Sequence, residues 1–564
     1  MEKRALVALV LSLVVLLFWE YYFGLYRTPT PPPAQETQQQ GPTSVPQSSL
    51  PETAASPATE LPAAAGTLPQ ERLTQLGQQF ESWTVTDQLY KMQILAPGGR
   101  IGSFELMNFR EKVDPNSRPM ELIPSQSSGY LPLAVDLLNH QEWQLSQRPF
   151  TSQSPNRIIL SAGKAPQDIS LSAEIPNQVR LIKTFTFMPD SYVMDLGIQL
   201  ENLSDSMLTD QMGISFYVQP YTDLKEESSY NLSQLSIFQK GSLTNYPLKD
   251  LLKKDIILRP PMDWIGYENN YFLQAVIPME ESGFQIIPRV LNADTGLMQV
   301  VYLTDNFQLN PHEKKNFKLR MYMGAKEINR LNQAGHNLSH AVDYGWFTFI
   351  AKPLLHVLNW LFKYTHNYGV AIILLTVMIK IVFWPLTQKS YQSMQKMKKV
   401  QPKIAQIREK YKDDKEKLNQ ELMAVYRTHK VNPMGGCLPM ILQIPVFFAL
   451  YRMLYGAVEL RHEPFMWWIN DLTAPDRLDL GFKIPYLSGG PGIPVLTILM
   501  GISMFIQQKM TPSSGDPRQE QIMLIMPVMF TVFFVNFPSG LVLYWLVNNI
   551  LSIVQQYMIN RQNA

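Results

Sequence analysis

Cysteine is nearly absent from this chain. Cys437 is the only one in 564 residues and sits in an apolar run, so no disulfide framework can form within one chain. Metal-ligand spacings, phosphate-binding loops and nucleophile motifs are missing as well. His336 and His340 have helical spacing but lack the glutamate of a zinc-protease motif, and read as surface histidines. Acids are missing where a transporter would need them. The apolar stretches 369–385, 436–455, 494–508, 522–537 and 541–558 contain no Asp or Glu, whereas ion-coupled carriers keep intramembrane carboxylates as relays. No paired nucleophile and base supports an immersed hydrolase. Neither an enzyme, a cofactor nor a bound metal is expected.

What is present is apolar and rich in proline and methionine, with 42 Pro and 28 Met. The length exceeds one ordinary domain, and the pattern is that of a membrane protein carrying a soluble insertion. Lys3 and Arg4 precede an apolar run at 5–18, then Trp19, Tyr21, Tyr22 and Phe23. Such a segment is a signal peptide or an uncleaved anchor. No small-x-small cleavage site follows, which favours an anchor over 1–27 with a cytoplasmic N-terminus. Residues 28–70, rich in Pro, Gln, Ser, Thr and Ala, cannot bury enough apolar surface to offset their ordering entropy and read as a tether.

Between 71 and 340 the pattern has period two. Tyr192, Met194, Leu196, Ile198 and Leu200 alternate with Val193, Asp195, Gly197 and Gln199, and Phe317, Leu319, Met321 and Met323 with Lys318, Arg320 and Tyr322. A mostly antiparallel all-β sandwich follows. Over 341–363, Trp346, Phe347, Ile350, Ala351, Leu354, Leu355, Leu358, Leu361 and Phe362 recur at helical steps. They predict an amphipathic helix lying in the membrane interface.

Residues 364–564 predict five membrane-spanning helices, six with the anchor, and both termini in the cytoplasm. The first of the five carries Lys380 in its interior. An ammonium there costs roughly 3 kcal/mol on insertion scales, so it is paired, solvated in a cavity, or snorkelling to an interface. Thr376, one turn earlier, shares its face. Gln443 lies in the second span and Ser503 with Gln507 in the third. Trp545, Asn548 or Asn549, Ser552 and Gln556 make a stripe in the last. Such polarity either glues helices together or, with an interior lysine, lines a hydrated groove. Phe447, Met500, Phe505 and Phe533 would form its greasy side. A wet, positive pocket lowers the cost of moving an acidic or polar peptide segment partway across, while apolar flanks leave sideways into lipid.

The segment 388–432 holds twelve Lys or Arg against five acids, an excess that places it in the cytoplasm. Helical spacing on both sides of KDDKEK predicts a helical hairpin with its tip there. Lys389, Lys396, Lys398, Lys399, Lys403 and Arg408 either set topology only or dock anionic partners, such as ribosomal RNA or lipid head groups. The connection 456–493 balances its bases with Glu459, Asp471, Asp476 and Asp479. It suits the outer face, and the β domain with it.

Three stretches, WPLTQKSYQSMQKMKKVQPKIAQIREKYKDD, VNPMGGCLPMILQIPVFFALY and FPSGLVLYW, resemble the YidC-type membrane protein insertases, relatives of the mitochondrial Oxa and chloroplast Alb proteins. The resemblance covers about 341–560. The anchor, tether and large insertion resemble the Gram-negative form, whose periplasmic domain is an all-β supersandwich similar to sugar mutarotases; that likeness implies no sugar chemistry. The resemblance implies an insertase and chaperone of the bacterial inner membrane, acting alone on small clients and with the Sec translocon on larger ones. Its implied partners are nascent inner-membrane proteins, Sec components, the lipid bilayer, and the ribosome through the hairpin and C-terminus. It also implies a basic groove residue, commonly Arg, at Lys380, where lysine keeps the charge and loses the planar fork. Thr376, Gln443 and Trp545 match groove positions, and Phe447, Met500 and Phe533 the hydrophobic side. Two other readings stay open, a secondary transporter and a membrane-anchored periplasmic carbohydrate-binding protein.

Overall fold

The computed structural model describes residues 80–114, 116–221, 233–280, 282–412, 414–429, 438–481, 492–510 and 517–562. The expected anchor and tether, and Cys437, lie outside these residues.

The N-terminal half is built of antiparallel sheets. The largest has eight strands in the order Ser242–Pro247, Gln234–Gln239, Trp264–Glu268, Phe272–Pro278, Lys314–Ala325, Val193–Asn202, Val179–Phe187 and Gln167–Ile175. The two alternating runs singled out in the sequence are neighbours within it: Ile198 faces Phe317, Leu196 faces Leu319 and Met194 faces Met321. These cross-strand pairs are buried on one face, the unit by which a sheet is stabilised. On the other face Arg320 makes a two-pronged contact with Asp195, at 2.7 and 2.9 Å.

A four-stranded sheet (Phe284–Asn292, Leu297–Thr304, Met212–Val218, Ala134–Leu137) faces this one, and side chains of both line a shared apolar cavity. A five-stranded sheet, in which Ser82–Thr86 pairs in parallel with Arg157–Ile159, and a two-stranded sheet of Leu208–Asp210 and Phe307–Leu309 complete the described β half. One lysine is built into the core. Lys183 is fully buried and donates to the carbonyls of Gly98 and Leu133 at 2.6 Å each. Burial, with Arg100 nearby, pulls its pKa down to about 7. Gly98 has φ +71°, and a Cβ there would stand 2.0 Å from the Ser146 carbonyl oxygen, so only glycine lets this turn close.

After a single helical turn, α1 (Leu248–Leu251), and a short α2 (Ile328–Ala334), the chain becomes helical: α3 (Thr348–Thr365), α4 (Tyr368–Lys410), α5 (Lys415–Thr428), α6 (Leu438–Gly456), α7 (Val495–Met510), α8 (Pro517–Phe534) and α9 (Ser539–Gln562). Helix α3 buries Ala351, Leu355, Leu358 and Leu361 against α4 and α6, and turns Phe349, Trp360 and Tyr364 outward. At its end His366 takes a left-handed φ of 49°. Asn367 then caps α4, its side chain accepting the Val370 N–H at 3.0 Å and donating to the Phe465 carbonyl at 2.8 Å.

Helix α4 does not stop at Pro385. It runs for 43 residues, through Pro385 and Pro402. Each proline removes one ladder hydrogen bond, and the helix resumes on either side. Among the described residues α4 is the one helix long and apolar enough, by length and composition, to cross a membrane; the apolar helices Val495–Met510 and Met523–Phe534 are shorter. Its far end folds against α5, with Val400 and Ile404 packed on Leu422, Val425 and Tyr426. Asp414 caps α5 by accepting the Lys417 N–H at 3.0 Å, so the turn falls within KDDK.

The β half and the helices share one apolar core. It continues from the sheets through Ile328, Leu331, Leu338, Ala341, Val342 and Tyr344 into α3, α4 and α6. Arg461, beyond α6, reaches back to the carbonyls of Arg110 and Glu111 at 2.6 and 3.2 Å and lies over the rings of Tyr271 and Phe272.

Candidate functional site

Helix α9 packs against both α4 and α7, and the contact is unusually polar for helices this apolar. Stepping along α9 by three and four residues, Asn549, Ser552, Gln555 and Gln556 all point inward and are buried. Lys380 on α4 meets this row. Its ammonium is 4 % exposed and donates to the Ser552 hydroxyl at 2.6 Å. That hydroxyl is itself bound to the Asn548 carbonyl at 2.7 Å. Among the described residues no carboxylate lies within ion-pair distance of Lys380. The charge is thus held, among the described residues, by one hydroxyl dipole without a counter-ion, the condition in which an incoming anionic group gains most.

Two more polar steps continue beyond Lys380 on α4. Gln555, fully buried, donates to the Thr387 hydroxyl at 2.9 Å, and Gln395 bonds Asn560. On the other flank Asn549 donates to Ser503 of α7 at 3.1 Å, and Gln556 donates to the Met510 carbonyl at 2.8 Å. A ladder of hydroxyls and amides therefore lines the α4–α9 seam, with Lys380 as its one charge.

The residues expected from sequence divide between the seam and its surroundings. Lys380, Ser503 and Asn548 sit in or beside this seam, all buried. Thr376 is buried too, but its hydroxyl returns to the Ile372 carbonyl of its own helix at 2.7 Å and does not reach Lys380. Trp545 and Phe447 form an aromatic wall, their rings 5.4 Å apart and edge-on, with Phe534 at 5.7 Å from Trp545. The Trp545 indole N–H is buried and has no acceptor among the described residues. Gln443 is half-buried on α6. Met500 is fully buried, whereas Phe505 is 38 % and Phe533 60 % exposed. Of these apolar residues, Met500 is therefore withdrawn from the surface while Phe505 and Phe533 stand on it.

Of the basic residues, Lys389, Lys396, Lys398, Lys399 and Lys403 are exposed along α4, and Arg408 is half-buried. The sequence reading passed over Thr387 and Gln555. The signal was available for Gln555, which extends the stripe three residues past Ser552; its partner could be found only once α4 was known to continue past Pro385.

The connection after α6 is tightly built. Asp476 accepts the Trp468 indole N–H at 2.6 Å and the Thr497 N–H in the first turn of α7 at 3.1 Å. Arg477 bridges to the Val535 carbonyl and to Asn536 at 3.0 Å each, fixing the α8–α9 turn beside it.

Comparison with known proteins agrees with this division of the chain. Residues 360–564 match the family described as 60Kd inner membrane protein, and residues 82–357 match the YidC periplasmic domain. A relative in Syntrophobacter fumaroxidans, membrane protein insertase YidC, is 64% identical over the full length of both chains. The protein of that name in Syntrophus aciditrophicus is 40% identical, again with 100% of both chains covered. A crystal structure described as an active YidC insertase with its first transmembrane domain resolved aligns over 85% of this chain and 93% of its own, at 18% identity and a TM-score of 0.36. Along its whole length the chain belongs to the YidC family of inner-membrane insertases, its β half being the periplasmic domain of that family.

Proposed function

We propose that the chain inserts and chaperones membrane proteins by receiving polar, and above all acidic, client segments at Lys380, in a seam that α4 and α9 open to admit them. The observation that carries this reading is a buried ammonium with one hydroxyl for company and, among the described residues, no counter-ion. Several hydrogen bonds along the seam join side chains of different helices, as Lys380 to Ser552 and Gln555 to Thr387, so polar groups of a client can replace them. The client's apolar flanks leave past Phe505 and Phe533 into lipid, where transfer at roughly 25 cal/mol per Å² supplies the driving force.

In the same reading α4, α6, α7, α8 and α9 are five spans and the N-terminal segment a sixth, with both termini in the cytoplasm. The exposed lysines of the α4–α5 hairpin dock the ribosome or anionic head groups, and larger clients are handed over by the Sec translocon.

Reconstitution tests it. Purified protein in liposomes receives a short, newly made two-span client with an acidic translocated tail, and protease protection of the tail is the readout. Wild type is expected to protect it and Lys380→Arg to do so as well, while Lys380→Ala falls about tenfold, the equivalent of about 1.4 kcal/mol. Equal protection by wild type and Lys380→Ala would remove the charge from the mechanism.

A further inference from the structure

Where the end of α6 meets the β half, a pocket with about 440 Å³ of empty space opens, outside the α4–α9 seam. Its floor is aromatic: Tyr344 and Tyr451 line it and are almost wholly buried. Lys326 stands in its wall, already neutralised by Glu268 at 2.9 Å. The rim carries two exposed charges of opposite sign, Asp343 and Arg452. Both line the same pocket, yet no ion pair joins them. Asp343 is oriented from one side only, its Oδ1 accepting the Gly345 N–H at 2.8 Å and the Thr348 hydroxyl at 3.2 Å. Lys352, the cation whose charge is felt there, gives its ammonium to the Ser339 carbonyl at 3.3 Å.

The level of the pocket is set by its neighbours. Arg452 lies one turn before α6 ends at Gly456, and Trp346 and Phe349, just after Asp343, are among the most exposed aromatics of the chain. With α3 in the membrane interface, these groups stand where lipid head groups stand.

We propose that this pocket binds the head group of a zwitterionic aminophospholipid, with the phosphate on Arg452 and the ammonium between Asp343 and the tyrosine rings. A guanidinium pairs well with phosphate. A primary ammonium gains from a carboxylate and from the faces of aromatic rings together. An anionic lipid would satisfy Arg452 and leave Asp343 facing like charge, so the pocket discriminates between the two classes. The inference rests on the interfacial placement of α3 and the outer-face end of α6, and not on insertion activity, which the Lys380 assay reads separately.

The test uses the full-length protein in detergent, offered equimolar phosphatidylethanolamine and phosphatidylglycerol and read by native mass spectrometry. Wild type is expected to retain the ethanolamine lipid about tenfold over the glycerol lipid. Arg452→Gln should lose most of that retention, and Asp343→Asn should hold both lipids alike, with thermal melting unchanged in each. Equal retention of the two lipids by wild type overturns the proposal without recourse to any variant. So does wild-type selectivity in both variants.

Discussion

Glu459 shows how much one side chain at a junction can reveal. It follows α6, and its carboxylate meets the backbone N–H of Ile328, at the start of α2, and the side chain of Asn359 on α3. Burial dominates these hydrogen bonds and, with Glu327 adding like charge, pushes its pKa up to about 7. Tyr344 and Tyr368 also feel this carboxylate. Because the folded protein holds the proton more tightly than the unfolded chain, this group's stabilisation is complete below the ordinary value of 4.5. It is lost as pH rises through about 7. Glu327 is raised by burial in the same sense, so the comparison must be with a Glu459→Gln variant in the same buffers. Thermal denaturation at pH 5 and pH 8 should show a larger loss for wild type than for Glu459→Gln; equal losses would mean that the folded state does not hold this proton.

Single residues were also where the sequence spoke unevenly. Lys380 stood out because a charge in an apolar run is costly wherever it lies. Ser552 belonged to a visible stripe. Which hydroxyl would meet the ammonium was not visible, since Thr376 on the same helix face was equally placed by spacing. The decision comes from the approach of α9, a long-range fact. Lys183, by contrast, sits within an ordinary alternating strand and gave no sign that it would be buried on two carbonyls.

At the scale of elements, alternation located the strands Val193–Asn202 and Lys314–Ala325 but not their pairing, because period two fixes a strand's faces and not its neighbour. Pro385 looked like a boundary for α4, since proline usually ends a helix pattern. The helix continues with α9 packed alongside, a tertiary contact overriding the local break. The hairpin beyond it is thinly held, by Val400 and Ile404 against Leu422, Val425 and Tyr426, and by the Asp414 cap. Ile404→Asp places an unpaired carboxylate in that contact, at a cost on the order of 3 kcal/mol. Hydrogen exchange should then rise sharply across α5 and stay unchanged in α4 before Pro385. Unchanged exchange in α5 would mean that the hairpin is held by something other than this contact.

For the whole molecule, the division into a β half and a helical half was legible from the switch in periodicity near 340. The joint between them was not, since it is made by loop residues with no pattern of their own. Arg461 is the clearest case, clamping the carbonyls of Arg110 and Glu111 while covering two rings. Arg461→Ala should release that clamp, worth about 1–3 kcal/mol. Limited proteolysis should then cut faster near 110–118, with the α4–α9 seam as protected as before. Cleavage at the wild-type rate would mean that the joint holds without this clamp.

Helix α4 has a mechanical consequence. At 1.5 Å per residue its 43 residues span roughly 65 Å, and no loop interrupts the path from Asn367 to the hairpin. Lys380 and the basic row from Lys389 to Arg408 are therefore marks on one shaft. Pro385 and Pro402 each take one hydrogen bond out of that shaft, so a torque applied at the hairpin passes two softened points before it reaches the buried charge. One residue added between the two marks would turn the basic row by about 100° relative to Lys380.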